Sequence, residues 1–220
     1  MEIKRTANAG VLLRLDGKKI LMDGVSRAVY PYPATSPQIK EEFLQDLPDA
    51  LLITHRHEDH YDAAFVSEYM KNPAGPVMGP ADIPFCSEMP QRVGDIRITP
   101  VISRHIGKTE PMGHMSFVLE GSQCIWFLGD ASPLLWKNRN DLPRPDVMIV
   151  PYAYGMGSGW EICKKLGTKS VVLLHLPPRD ADPYGLWAAV EAAAGQGNGP
   201  ALYIPAMGET VIIDTDIQFI

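Results

Sequence analysis

The chain has 220 residues, 45% of them hydrophobic, and a net charge of −6, enough for folding to bury about 70% of the unfolded surface. The charge is dispersed, with no Lys/Arg run longer than two, which disfavours an extended nucleic-acid or membrane-surface footprint. No apolar run approaches the roughly 20 residues that span a bilayer. Met1 to Arg5 does not read as a secretory signal, so a cytoplasmic protein is expected. The cysteines, Cys86, Cys124 and Cys163, are odd in number and scattered. That pattern excludes a disulfide framework and a cysteine zinc site, and predicts buried, reduced thiols.

Val11 to Leu15, the turn Asp16-Gly17-Lys18 and Ile20 to Met22 read as a hairpin closed by Asp23. A Pro/Tyr-rich loop follows from Tyr30 to Pro37, then a short helix near Gln38 to Asp46 and a buried strand from Ala50 to Thr54. Phe65, Val66 and Tyr69 have helical spacing within Asp62 to Lys71, and a short strand is expected near Val77. A second strand series covers Ile96 to Ile102, Ser116 to Leu119, Cys124 to Leu128, Val147 to Val150 and Val171 to Leu174. Helices fit Gly159 to Leu166 and Tyr184 to Ala194. Two comparable halves of strands and helices, with no long polar linker, predict one domain over residues 1–220: two sheets face to face with helices outside.

The chemistry concentrates where strands end. Residues 54–60 read Thr-His-Arg-His-Glu-Asp-His, so His55, His57, Asp59 and His60 place four metal-capable side chains directly after an apolar strand. With 6 histidines in 220 residues, this pattern arises by accident in roughly 3 of 10,000 such chains. Imidazole and carboxylate suit Zn²⁺ and related divalent ions, and the alternation looks bimetallic. His105, Asp130 and His175 each follow a further apolar strand. A lone histidine at a strand end is more often a hydrogen-bonded loop residue than a ligand, but together these supply seven candidate ligands.

At this point the chain resembles the metallo-β-lactamase superfamily over nearly its whole length. Asp23 looks like the family's first landmark, an acid that orients the histidine loop. His55-x-His57-x-Asp59-His60 looks like the second, and His105, Asp130 and His175 like the third, fourth and fifth. The resemblance implies a four-layer α/β sandwich of the αββα type with two mixed sheets. It implies one metal held by His55, His57 and His105, another by Asp59, His60 and His175, and Asp130 bridging them. His105 is preferred as third ligand because it follows a strand and precedes a loop; His114 remains the alternative, or else touches the substrate or supports the site.

Two divalent ions about 3.5 to 4 Å apart hold a hydroxide near neutral pH and polarise the oxygen under attack, which predicts hydrolysis. Zinc is the first expectation, with manganese or iron as alternatives. Asp59 and Asp130 are the candidate proton acceptors, and Asp23 would fix a ligand histidine. Substrate selection is expected from Arg27 to Pro37, Phe85 to Pro90, Gly107 to Gly113 and Tyr152 to Gly157, with Tyr152, Tyr154, Arg104 and Arg27 as candidate contacts. The aromatic members of these loops have an alternative role in covering sheet edges. The expected partners are a small molecule, a lactone, ester or phosphoester, and, as an open alternative to a monomer, a second copy of the chain in a homo-oligomer. A phosphodiesterase or nuclease and a mononuclear iron dioxygenase are the competing readings.

Overall fold

The computed structural model describes residues 1–107, 113–137, 139, 141–194 and 199–214. In chain order the first strands are β1 (Glu2–Arg5), β2 (Val11–Leu15), β3 (Lys18–Met22), β4 (Ala50–Leu52) and β5 (Val77–Met78). Then come β6 (Gln91–Val93), β7 (Ile96–Ile102), β8 (Met115–Glu120), β9 (Cys124–Phe127), β10 (Val147–Pro151), β11 (Ser170–Leu174), β12 (Ala201–Tyr203) and β13 (Thr210–Ile212). Four helices join them: α1 (Pro37–Gln45), α2 (Ala63–Tyr69), α3 (Gly157–Lys165) and α4 (Leu186–Ala194). The first sheet runs β13-β1-β2-β3-β4-β5 and the second β12-β11-β10-β9-β8-β7-β6. Each is mixed: antiparallel through β1, β2 and β3 and then parallel to β5, antiparallel from β6 to β9 and then parallel to β12.

The period-2 alternation of strand side chains sorts residues into layers. Leu13, Ile20 and Leu52 of the first sheet meet Phe117, Phe127 and Ile149 of the second in the core between the sheets. Their neighbours Leu12, Leu21 and Leu51 turn outward and are covered by Phe43 of α1 and by Phe65, Val66 and Tyr69 of α2. On the opposite outer face Trp126, Met148 and Val171 pack against Trp160 and Cys163 of α3 and Val190 of α4. This is the expected four-layer αββα sandwich. The first two helices begin at side-chain caps: Ser36 Oγ accepts from Ile39 N at 3.3 Å, and Asp62 Oδ1 accepts from Ala64 N at 2.9 Å.

Several sequence expectations need correction. Strand pairing after Ala50 ends at Leu52, because Thr54 N donates to the Asp23 carboxylate rather than to a neighbouring strand. β1, β6, β12 and β13 were not foreseen; each is a short strand of three or four residues. Only Cys163 is fully buried, while Cys86 and Cys124 are half-buried. Burial pushes all three thiols up to about 12. Among the described residues no helix is long and apolar enough to cross a membrane.

Phe127 is buried at the centre of the core between the sheets. Phe127→Ala should lower unfolding stability by about 3–5 kcal/mol, read as a shift in the denaturant midpoint. A change under about 1 kcal/mol would mean that the two sheets do not depend on this core.

Candidate metal centre

Backbone direction brings the polar residues together. Asp23 ends β3, the His55–His60 loop leaves β4, His105 follows β7, Asp130 follows β9 and His175 follows β11. The loop after β4 turns tightly, with the amides of His60 and Tyr61 both donating to His57 O at 2.9 Å, before Asp62 caps α2. His105 is tied to the loop after β9 by a bridge to Ala131, and Ile106 N donates to Asp130 O at 2.8 Å. Two non-glycine residues here have left-handed backbone, Asp23 with φ 46° and His175 with φ 63°, a conformation kept only where surroundings enforce it. Gly129, with φ 53°, lies so close to Thr54 that a Cβ would stand 2.6 Å from its side chain.

Every one of the six histidines of the chain has its ring centroid within 5.3 Å of another histidine ring. Three groups place one ligand atom per residue within 4.8 Å of one another: His55, His57 and His105; His55, His60 and Asp130; and Asp59, His60 and His175. Asp130 Oδ2 stands between Nε2 atoms, 3.4 Å from His60, 3.3 Å from His105 and 3.4 Å from His175. Asp59 Oδ2 lies 3.2 Å from His175 Nε2. His114 joins none of these groups, although its ring lies 4.9 Å from that of His55.

Hydrogen bonds on the outer edges of the rings fix which nitrogen is bare. Thr54 Oγ1 donates to Asp23 Oδ2 at 2.5 Å, so it accepts from His55 Nδ1 at 3.0 Å and leaves His55 Nε2 as a lone pair. His60 Nδ1 donates to Asp23 Oδ2 at 2.8 Å and His105 Nδ1 to Ile106 O at 2.6 Å. His114 obeys the same logic through a longer chain. Leu128 O only accepts, so Ser116 Oγ donates to it at 3.0 Å and accepts from Ser103 Oγ at 3.0 Å. Ser103 Oγ must then accept from His114 Nδ1 at 2.7 Å, and His114 Nε2 is a lone pair as well.

The inward atoms face one another. His60 Nε2, His105 Nε2, His114 Nε2, His175 Nε2 and Asp130 Oδ1 are buried without a hydrogen-bond partner among the described residues. Clustered lone pairs of imidazole and carboxylate are the donor set of a divalent cation, and the residues present fit such an ion. Without a metal, protons compete for these sites: burial disfavours charge on His60 and His105, yet Asp130 outweighs it and raises both, His60 well above its ordinary value. Burial opposes ionisation of Asp130, yet His175 and His60 outweigh it and hold the carboxyl well below its usual range. Burial disfavours charge on His175 too, but Asp130 and Asp59 raise it to about 9. Burial and the neighbouring His60 keep His55 well below its ordinary value, and burial lowers His114 to about 3.

The remaining sequence candidates separate. Tyr152 lies 6.2 Å ring to ring from His175, at the site. Tyr154 is buried and its hydroxyl donates to Ala131 O at 3.0 Å, so it supports the loop that carries Asp130 and is out of reach of a substrate. The Arg104 side chain is exposed, and Arg27 is paired with Glu58. Lys108 to Met112 of the Gly107 to Gly113 loop lie outside the described residues. Thr54, Ser103 and Asn8 were not anticipated; a hydroxyl adjoining His55 or two residues before His105 was the available signal, while Asn8 had none.

The family profile described as "Beta-lactamase superfamily domain" matches residues 2–175. The chain belongs to the metallo-β-lactamase superfamily. Within this superfamily it is 28% identical over 166 residues to a UPF0173 protein of Pyrococcus furiosus, covering 69% of this chain and 70% of that protein. An isothiocyanate hydrolase from Delia radicum gut bacteria shares the fold at TM-score 0.69 and 17% identity, covering 97% of this chain and 99% of the other. CmlA, a diiron β-hydroxylase from Streptomyces venezuelae, shares it at TM-score 0.64 and 16% identity, over 96% of this chain and 54% of CmlA. One fold is thus shared by this chain, an isothiocyanate hydrolase and a diiron β-hydroxylase.

Asp23 orients two rings, His60 directly and His55 through Thr54. Asp23→Ala should weaken zinc affinity about 10–100-fold while the chain stays folded, measured by competition with a chromogenic chelator. In the chelated protein, His175 with its raised pKa contributes stability that is complete below its unfolded value of about 6.5 and is lost as pH rises to about 9. Thermal melts of chelated protein should therefore fall across that window. Zinc-loaded protein should lose less or gain, because a ligand imidazole must give up its proton.

Proposed function

We propose that the chain is a metal-dependent hydrolase that cleaves a small substrate, a lactone, ester or phosphoester, with a dinuclear centre and one domain. What carries this reading is the pair of histidine-rich groups, His55 with His57 and His105, and Asp59 with His60 and His175, joined through Asp130. Divalent ions held there, zinc first and manganese or iron as alternatives, supply Lewis acidity and lower the pKa of water toward neutrality.

The residues divide the remaining work. Asp130 Oδ2 faces three imidazoles, which leaves Oδ1, without a partner among the described residues, to take the proton of the attacking water. Asp59, held below its usual range by His175 against the opposing effect of burial, is the second acceptor and can hand a proton to the leaving group. His114 stays neutral and offers Nε2 as a fixed hydrogen-bond acceptor beside His55 and His105. Tyr32, edge-on to His175 at 4.9 Å, and Tyr152 limit access of bulk water.

The test is metal analysis by mass spectrometry on protein purified without added metal or chelator, paired with hydrolysis of a lactone, an ester and a phosphodiester. Near two zinc or manganese ions per chain with turnover of one class is expected; one iron and no hydrolysis would move the protein to oxygen chemistry. His57→Ala should reduce turnover at least about hundredfold and lower metal content with little change in melting temperature. Full metal occupancy with retained turnover in that variant would sink the mechanism.

A further inference from the structure

A cavity of about 500 Å³ opens beside His175, built from the segment after β11, from α4 and from the connection between β12 and β13. Its walls are apolar, with Leu176, Pro177, Trp187 and Ile204, and Tyr32 joins it to the metal-ligand cluster by packing on His175. Its volume falls within the range of small-molecule sites. The buried polar lining is Arg5, 8% exposed, and Asn8, 1% exposed.

Arg5 is a buried cation held by neutral groups. Nε donates to Ala7 O at 3.2 Å, Nη1 to Pro205 O at 3.0 Å and Nη2 to Asn8 O at 3.0 Å. Two of the five guanidinium hydrogens are left over, and Arg5 forms no ion pair among the described residues. Of the other charges in the lining, Arg179 pairs with Glu191 at 2.9 Å and stacks on Trp187, while Glu209, exposed, accepts from Ala206 N at 2.6 Å and keeps its negative charge. A buried cation without a counter-charge is costly, and burial lowers the Arg5 pKa accordingly.

Asn8 lies between the cavity and His175. Its Nδ2 stands 3.4 Å from His175 Nδ1, and its Oδ1 has no partner. If His175 offers Nε2 to a metal, Nδ1 must carry hydrogen and needs an acceptor. Amide oxygen and nitrogen are assigned by network and not by shape, so Asn8 belongs the other way round, with oxygen on His175 and NH₂ at the unpartnered position. The cavity then has hydrogen-bond donors from Arg5 and an apolar body.

We propose that this cavity is a recognition subsite for a carboxylate carried on an apolar substrate, with Arg5 as its donor. The planar fork of Arg5 suits a carboxylate. The connection to turnover rests on the hydrolase reading, whereas anion binding does not.

The experiment titrates zinc-loaded and chelated protein with 4-phenylbutyrate and with its neutral counterpart 4-phenylbutanamide, following the Trp187 indole N–H by NMR. That N–H donates to Pro177 O at 2.8 Å within the wall, and Trp187→Phe assigns its signal. The carboxylate should shift Trp187 in both forms and bind at least about tenfold tighter than the amide, a charge-assisted preference. Arg5→Met should erase that difference, with the remote Trp126 indole signal reporting an intact fold; if this variant unfolds, the comparison of the two ligands on the unsubstituted protein still decides. Equal affinity for the amide, or a carboxylate that leaves Trp187 unmoved, overturns the subsite. In the turnover arm, an aryl half-ester with a free carboxylate should have a higher kcat/KM than its neutral dimethyl ester. Binding at Trp187 without that preference overturns the substrate role. No hydrolysis of either compound with binding intact overturns the hydrolase reading and the substrate role, and leaves the anion site standing.

Discussion

The structure depends on holding imidazole and carboxylate acceptor atoms close together in a buried place. Four imidazole nitrogens and one carboxylate oxygen are buried without hydrogen-bond partners among the described residues, and a buried polar atom left unpaired costs about 1–3 kcal/mol. Such a cluster relaxes unless the outer edge of every ring is pinned. Asp23, Thr54, Ile106 O and Ser103 do the pinning, and in each case the direction of the hydrogen bond, set by a group that only accepts, determines which nitrogen stays bare.

The sheets make that pinning rigid. Asp23 directly follows β3 of the first sheet, and it positions a loop that leaves β4, binding Thr54 N two residues beyond the last paired position. Asp130 and His175 come from the second sheet, so the centre is a junction between the two and inherits the stiffness of the core beneath it. The left-handed backbone at Asp23 and His175 is where each strand is bent sharply enough to aim its side chain. Gly10 has a similar function on the other side of the junction: a Cβ there would stand 1.8 Å from Asp23 O, so only glycine lets the β1–β2 turn approach.

Much of this was legible in the sequence because the signals are local. Apolar alternation located the central strands, and the dense spacing from His55 to His60 marked the centre. Strand ends then collected His105, Asp130 and His175 at the same site. What was illegible is what forms between distant segments. β13 is a strand because β1 lies beside it, and no periodicity in three residues could announce that. Asn8 meets His175 across 167 positions of sequence, and Arg5 is held by Pro205 across 200. The half-buried thiols of Cys86 and Cys124 were misjudged because residue type speaks to average burial, while these two sit at the margins of the outer layers.

The pairing of β1 with β13 gives the fold a direction in time. Ile3 finds its partner Val211 only after about 200 further residues have been made, so the outer edge of β1 is open until then, and edges of that kind invite pairing with other chains. The nascent histidine loop after β4 is made early, but His175 arrives more than a hundred residues later. The order of emergence therefore separates the two halves of the cluster, and the group of Asp59, His60 and His175 is complete only once β11 has docked.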